Sequence, residues 1–158
     1  MKPRIRNIFV VGCLGLCVSC GPEEKAAAPK AAPAPVVKPA DESRRFPKAE
    51  LTETRVVDDH AMGKAYLPGG TVASYRKGQY EMFLVKMADA QSAAIALLDW
   101  KKELADAKLI PAFGGYFGKD GGRPVFVFTK GAWVAGVAGL SEKEADARAR
   151  LLASQISF

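Results

Sequence analysis

Val125-Phe126-Val127-Phe128 is apolar at every position, and the eight residues Ala132–Gly139 carry no charge. In a β-strand successive side chains leave opposite faces, so a run apolar at both parities puts greasy groups on both sides of a sheet. Gln79–Met87 repeats the pattern: Tyr80, Met82 and Leu84 oppose Phe83, Val85 and Met87. Strands of this kind are normally covered on both faces. That requirement constrains the fold more than any other feature of the chain.

Around those runs the elements can be read in order. Thr71–Arg76 and Gln79–Met87 form a hairpin across Lys77-Gly78. Asp89 then caps a helix expected over Ala90–Lys108, with Ala93, Leu97, Trp100, Leu104 and Ala107 on one face and Pro111 ending it. Ala112–Gly118, Arg123–Lys130 and Ala132–Gly139 read as three more strands, turned at Lys119-Asp120-Gly121-Gly122 and Lys130-Gly131. Ser141-Glu142-Lys143-Glu144 has the form of a capping box, opening a last helix whose apolar face is Ala145, Ala149, Leu152 and Ile156. The expected fold is α+β: an antiparallel sheet of about five strands in ββα-βββα order with the helices on one face. In residues 48–67, Thr54–Val57 reads as a strand and Asp58 or Asp59 as the cap of a short helix to Tyr66, broken at Leu67-Pro68-Gly69-Gly70. Two helices on one side leave the other sheet face to be shielded by residues 48–67, by a second copy, or by a bound apolar ligand.

The first twenty residues read as an address. Lys2, Arg4 and Arg6 precede an uncharged apolar run of 11 residues, Ile8 to Val18. That is the length of a signal-peptide core and falls short of the ~20 apolar residues that span a bilayer. Cys17-Val18-Ser19-Cys20 resembles the lipobox of bacterial lipoproteins, a small residue before an obligatory cysteine, with Cys17 standing where leucine is usual. Val10-Val11-Gly12-Cys13 has a similar form but leaves too short an apolar core before it. The resemblance implies a leader over residues 1–19 and a diacylglyceride, with an added acyl chain such as palmitate, on Cys20. It also implies a membrane-anchored position in the cell envelope, facing the periplasm or exterior, with Gly21 favouring the outer membrane. All three cysteines lie at or before position 20, so the fold has no disulfide framework and the mature chain no free thiol.

Residues 20–47 then form a lipidated cysteine and a Pro/Ala-rich tether, with six prolines and seven alanines between positions 21 and 47. Proline removes amide donors and disfavours helix before it, so this stretch reads as a spacer leading to a single domain over residues 48–158. The block from Gly70 to Ile156 also resembles an uncharacterised family of bacterial secreted domains. The shared shape is a hairpin ending in an alternating Tyr/Val-rich strand (Gln79–Met87), an alanine-rich helix (Asp89–Lys108), and a Gly-rich run into an aromatic strand (Gly114–Trp133). That family implies no activity.

Charge removes one class of partner. The chain carries a formal +6, but from Lys48 onward there are 15 basic and 13 acidic side chains. A domain so nearly neutral has no footprint for a phosphate backbone, and no nucleic acid is expected. The lone histidine, His60, follows Asp58-Asp59, so a metal site or a carboxylate-oriented base would centre there. Two aspartates before a short helix serve more often as caps, and no metal or other cofactor is expected. Met82 and Met87, five apart on a strand, face opposite ways and cannot share an ion. Gly114, Gly115, Gly118, Gly121 and Gly122 lead into a strand rather than a helix N-terminus, so they are turn residues and not a phosphate cradle.

The chain is therefore expected to be an envelope lipoprotein whose domain is a non-catalytic binding module. It would meet the bilayer through acylated Cys20 and bind another envelope protein, using an uncovered sheet face or the Gly-rich hairpins. A homodimer through the uncovered face is the related option. Two alternatives stand beside it: a periplasmic hydrolase or metal-dependent enzyme centred on Asp58, Asp59 and His60, and an apolar-ligand carrier.

Overall fold

The doubly apolar runs lie in the middle of one sheet. Seven antiparallel strands, β1 (Leu51–Asp59), β2 (Pro68–Tyr75), β3 (Tyr80–Lys86), β4 (Ala105–Ile110), β5 (Gly115–Asp120), β6 (Arg123–Lys130) and β7 (Trp133–Ala138), stand in the order β1-β2-β3-β7-β6-β5-β4. Helix α1 (Ala90–Glu103) joins β3 to β4, and α2 (Glu142–Gln155) follows β7. The computed structural model describes residues 38–111 and 113–157. Expectations about the leader, Cys20 and the tether before Lys38 fall outside them.

The two helices lie on opposite faces. Ala145, Ala149, Leu152 and Ile156 of α2 pack with Tyr75, Met82, Leu84, Phe126, Phe128 and Val137. Ala93, Ala96, Leu97 and Trp100 of α1 pack with Val72, Phe83, Val85, Val125, Val127 and Val134 on the other face. The parity of the sequence runs is what separates the two clusters: Phe126 and Phe128 go one way, Val125 and Val127 the other. Gly136 of β7 makes room on the α1 side, where a Cβ would come within 2.5 Å of Phe83 Cζ. The Phe83 ring in turn stacks on Trp100 at 5.1 Å between centroids.

These observations correct the expected α+β fold of five strands in ββα-βββα order. The order is βββα-ββββα, strand residues outnumber helical ones, and the architecture is mainly β. Among the described residues each face has its own helix, where both helices were expected on one face.

The departures from the expected strands lie at the sheet edges, where β4 was read as helix and β1 only in part. The stretch Ala105–Ile110, read as the last turns of α1, instead pairs with β5. Gly118 lets it lie close, since a Cβ there would meet Ala105 O at 2.9 Å and Leu104 Cβ at 3.0 Å. Asp106 takes a left-handed φ of 54° at an irregularity in that ladder. β1 extends the expected strand Thr54–Val57 in both directions and ends at Asp59, and the expected helix is a single 3-10 turn, Ala61–Gly63, that follows His60 rather than an aspartate cap. Its ladder is also irregular, between Leu51 and Glu53. Interrupted, charged edges of this kind resist pairing with foreign strands.

Two smaller corrections concern ends. Ser141 is the N-cap of α2, but its hydroxyl donates to the Glu144 carboxylate at 2.6 Å instead of accepting from the helix backbone, so that half of the capping box does not form. Phe46, assigned from sequence to the tether, is 2% exposed and belongs to the α2-side core. Tyr75 OH donates to Pro47 O at 2.8 Å beside it. The domain therefore begins ahead of Lys48.

Phe46→Ala empties a core site, so it should cost about 3–5 kcal/mol. Urea unfolding checks this: a lowered midpoint with an unchanged m-value is the expected result.

Candidate functional site

A cavity of about 510 Å³ opens at one end of the sheet, where β1 and β3 finish and β2 and β7 begin. The register explains what lines it. Val57 pairs with Gly70 and Asp59 with Pro68, so Asp58 stands opposite Gly69. Continuing the β2–β3 ladder from Thr71–Leu84 brings Gly69 opposite Lys86, and Lys86 pairs with Trp133. Asp58, Gly69, Lys86 and Trp133 thus form one row across four strands, on the α2 side of the sheet. Gly69 admits no side chain, because a Cβ there would collide with the carbonyl oxygens of Val57 and Asp58. The row has a gap in it by construction.

A strap of chain closes the cavity from above. Lys38, Pro39, Ala40 and Glu42 line it together with Leu84, Met87 and Ala88. Glu42 N donates to Thr71 Oγ1 at 3.1 Å, and that hydroxyl donates to Ala40 O at 3.4 Å. Thr71 is 1% exposed, and the strap supplies these partners for its hydroxyl. Arg45 secures the same strap at its other end. Its guanidinium meets Glu42 at 2.6 Å and donates to Gln155 O at 3.1 Å and Ser157 Oγ at 3.2 Å. Gln155 ends α2, so the positive charge also faces the negative end of that helix.

Trp133 lies between two cations, Arg45 5.3 Å and Lys86 5.6 Å from its ring. Lys86 and Asp58 are exposed, and neither has an ion pair among the described residues. The site is therefore an apolar hollow with an aromatic wall and uncompensated charges of both signs at its rim.

The residues singled out from sequence are distributed differently. Asp58 and Asp59 both border this cavity, whereas His60 borders a separate one of about 290 Å³ with Arg55, Met62, Glu81 and Arg123. His60 Nε2 lies 3.4 Å from Asp59 Oδ2, and the histidine backbone is left-handed at φ 51°. Among the described residues no three His, Cys, Asp or Glu side chains stand together as a metal site. Met82 is buried on the α2 side and Met87 packs on the α1 side, as strand parity requires. Tyr116 lies under Lys101, and Phe117 packs against the α2-side core.

Sequence reasoning missed a polar cluster on the α1 side. Lys64, 8% exposed, meets Glu103 at 2.6 Å and Asp120 at 2.8 Å. Trp100 Nε1 donates to Asp120 Oδ2 at 2.8 Å. Together they tie the β1–β2 connection, α1 and β5 to one carboxylate. Burial alone would depress the Lys64 ammonium, but hydrogen bonds to Asp120 and Glu103 outweigh it and hold it above the usual lysine range. The cluster lines no cavity described here and reads as a structural clamp.

No family model, curated protein or solved structure matches this chain.

A raised lysine value stabilises the fold below the unfolded-state value and stops doing so as pH climbs through the folded one. The stability gap between the wild type and Lys64→Met should hold from neutrality to about pH 9 and shrink above about pH 11, since an unfolded lysine titrates near 10.4. Urea midpoints measured across that range provide the check.

Proposed function

We propose that the chain is an envelope lipoprotein, held to a bilayer through a diacylglyceride on Cys20, and that its domain is a binding module working through the cavity over Trp133. The observation that carries the binding half is a concave, mostly apolar site with a few charged groups at its mouth, the usual form of a ligand pocket. The anchoring half rests on the leader and the lipobox-like Cys17-Val18-Ser19-Cys20. Two or more acyl chains on one residue give stable membrane attachment where a single chain gives only transient binding.

The two halves meet at Lys38. Lys38, which borders the cavity, lies eighteen positions after Cys20. At ~3.1 Å per residue in polyproline II, that stretch reaches roughly 55 Å from the membrane surface. A mouth carried on such a tether can meet material from the periplasm or from neighbouring envelope proteins. Because a helix packs on each sheet face, binding in this reading is at the cavity rather than on a sheet face.

Intact-mass measurement of protein extracted from membranes should show the leader removed before Cys20 and the added mass of acyl chains, both absent in Cys20→Ser. An unmodified Cys20 in native material would end the lipoprotein reading. For the cavity, the probe is N-phenyl-1-naphthylamine, an uncharged dye, added to the native protein in nanodiscs and read against empty nanodiscs. It should bind once per chain to the wild type and not to Ala88→Trp, whose indole fills the mouth from an exposed position. Equal binding to both proteins would remove the cavity from the account.

A further inference from the structure

We infer that the cavity over Trp133 takes a small zwitterion with an apolar side chain, a free amino acid or dipeptide, with its ammonium at Asp58 and its carboxylate towards Lys86. This rests on the cavity being the binding site and goes on to name its ligand. The geometry comes from the four-strand row. Asp58 and Lys86 are two strand positions apart, about 10 Å between backbones at ordinary interstrand spacing. Between them stands only Gly69, where a side chain is sterically barred. Opposite charges therefore flank a gap that no protein side chain fills.

Neither charge has an ion pair among the described residues, and Lys86 lies over the Trp133 ring, whereas several other exposed ions of the domain are paired. Lys102 pairs with Asp99, Lys108 with Glu142, Arg76 with Glu50 and Arg150 with Asp146. A ligand carrying one charge of each sign would satisfy both rim groups at once. A purely anionic ligand would face Asp58, Asp59 and Glu42, and a purely cationic one would face Lys38, Lys86 and the Arg45 that lies on Trp133. The apolar body follows from the remaining wall, which is Leu84, Met87, Ala88 and the Trp133 ring. Size is bounded as well. The cavity volume of about 510 Å³ limits the ligand to a small molecule of this kind.

The test uses the native protein in nanodiscs and titrates leucine, leucyl-leucine, N-acetyl-leucyl-leucine, leucyl-leucine amide and the doubly blocked N-acetyl-leucyl-leucine amide. Heat of binding is the readout. Leucine against leucyl-leucine decides between amino acid and dipeptide. Blocking either end of the better ligand should weaken binding by about tenfold or more, the loss expected for one charge-assisted hydrogen bond. Asp58→Asn should abolish the penalty for acetylation alone, and Lys86→Met the penalty for amidation alone. Both residues are exposed and outside the core, so the variants keep the fold.

Penalties that persist in those variants, or a doubly blocked peptide that binds as well as the free one, would overturn the inference. So would a cavity that takes N-phenyl-1-naphthylamine but none of the zwitterions; in that case the binding-module reading survives with an apolar ligand. If neither the zwitterions nor the naphthalene probe enters the wild-type cavity, both readings fall together.

Discussion

The central strands β3, β6 and β7 are apolar at both parities, and almost everything else in the domain answers that demand. Burial of a large apolar side chain contributes on the order of 1.5–3 kcal/mol, so leaving either face wet would cost more than a domain of this size can spare. One helix per face is the economical solution. It requires the chain to leave β3 towards one side and β7 towards the other. α1 is locked over its face by Trp100, stacked on Phe83 and hydrogen-bonded to Asp120. α2 is too short to cover the whole of its own face. Phe46 fills part of the remainder, and this draws the N-terminal strap into the core.

How much of this could be read from the chain depended on whether a residue's role was local. β6 was legible to the residue and β7 nearly so, because burial on both faces leaves an unbroken apolar run between two glycine turns. α1 was legible at its start, where Asp89 accepts from Ser92 N at 2.7 Å. Its end was not. Ala105-Asp106-Ala107-Lys108 continues the helical period and composition, and what turns it into a strand is the bare backbone of Gly118 in a neighbour it had yet to meet. β1 was half seen for the opposite reason. An edge strand with its side chains in water needs no apolar alternation, and Leu51-Thr52-Glu53-Thr54-Arg55 shows none.

The candidate site was hidden for a related reason. Asp58, Gly69, Lys86 and Trp133 are widely separated in sequence and share no motif. They meet only because four strands hold a common register. Asp58 attracted notice through its neighbour His60, yet its position in the fold gives it a different companion, Lys86. Gly69 was read as part of a chain break, when its lack of a side chain is what keeps the row open. Lys86 carried no signal at all, since a lysine after an apolar strand ordinarily marks a solvated end.

The strap is the first described stretch of the domain. The stretch 38–46 holds Phe46 in the core, donates to and accepts from Thr71, and reaches the end of α2 through Arg45. It is also the roof of the cavity, and it is where the tether arrives. If the chain is anchored at Cys20 as proposed, tension along the tether would act first on Ala40 and Glu42, whose direct hydrogen bonds to the sheet among the described residues are those with the Thr71 hydroxyl. Arg45 and Phe46 lie further along and are held by more contacts, so they would resist after the roof had shifted. In that proposal, entry across the mouth of the cavity would link what the cavity holds to how far the domain stands from its anchor.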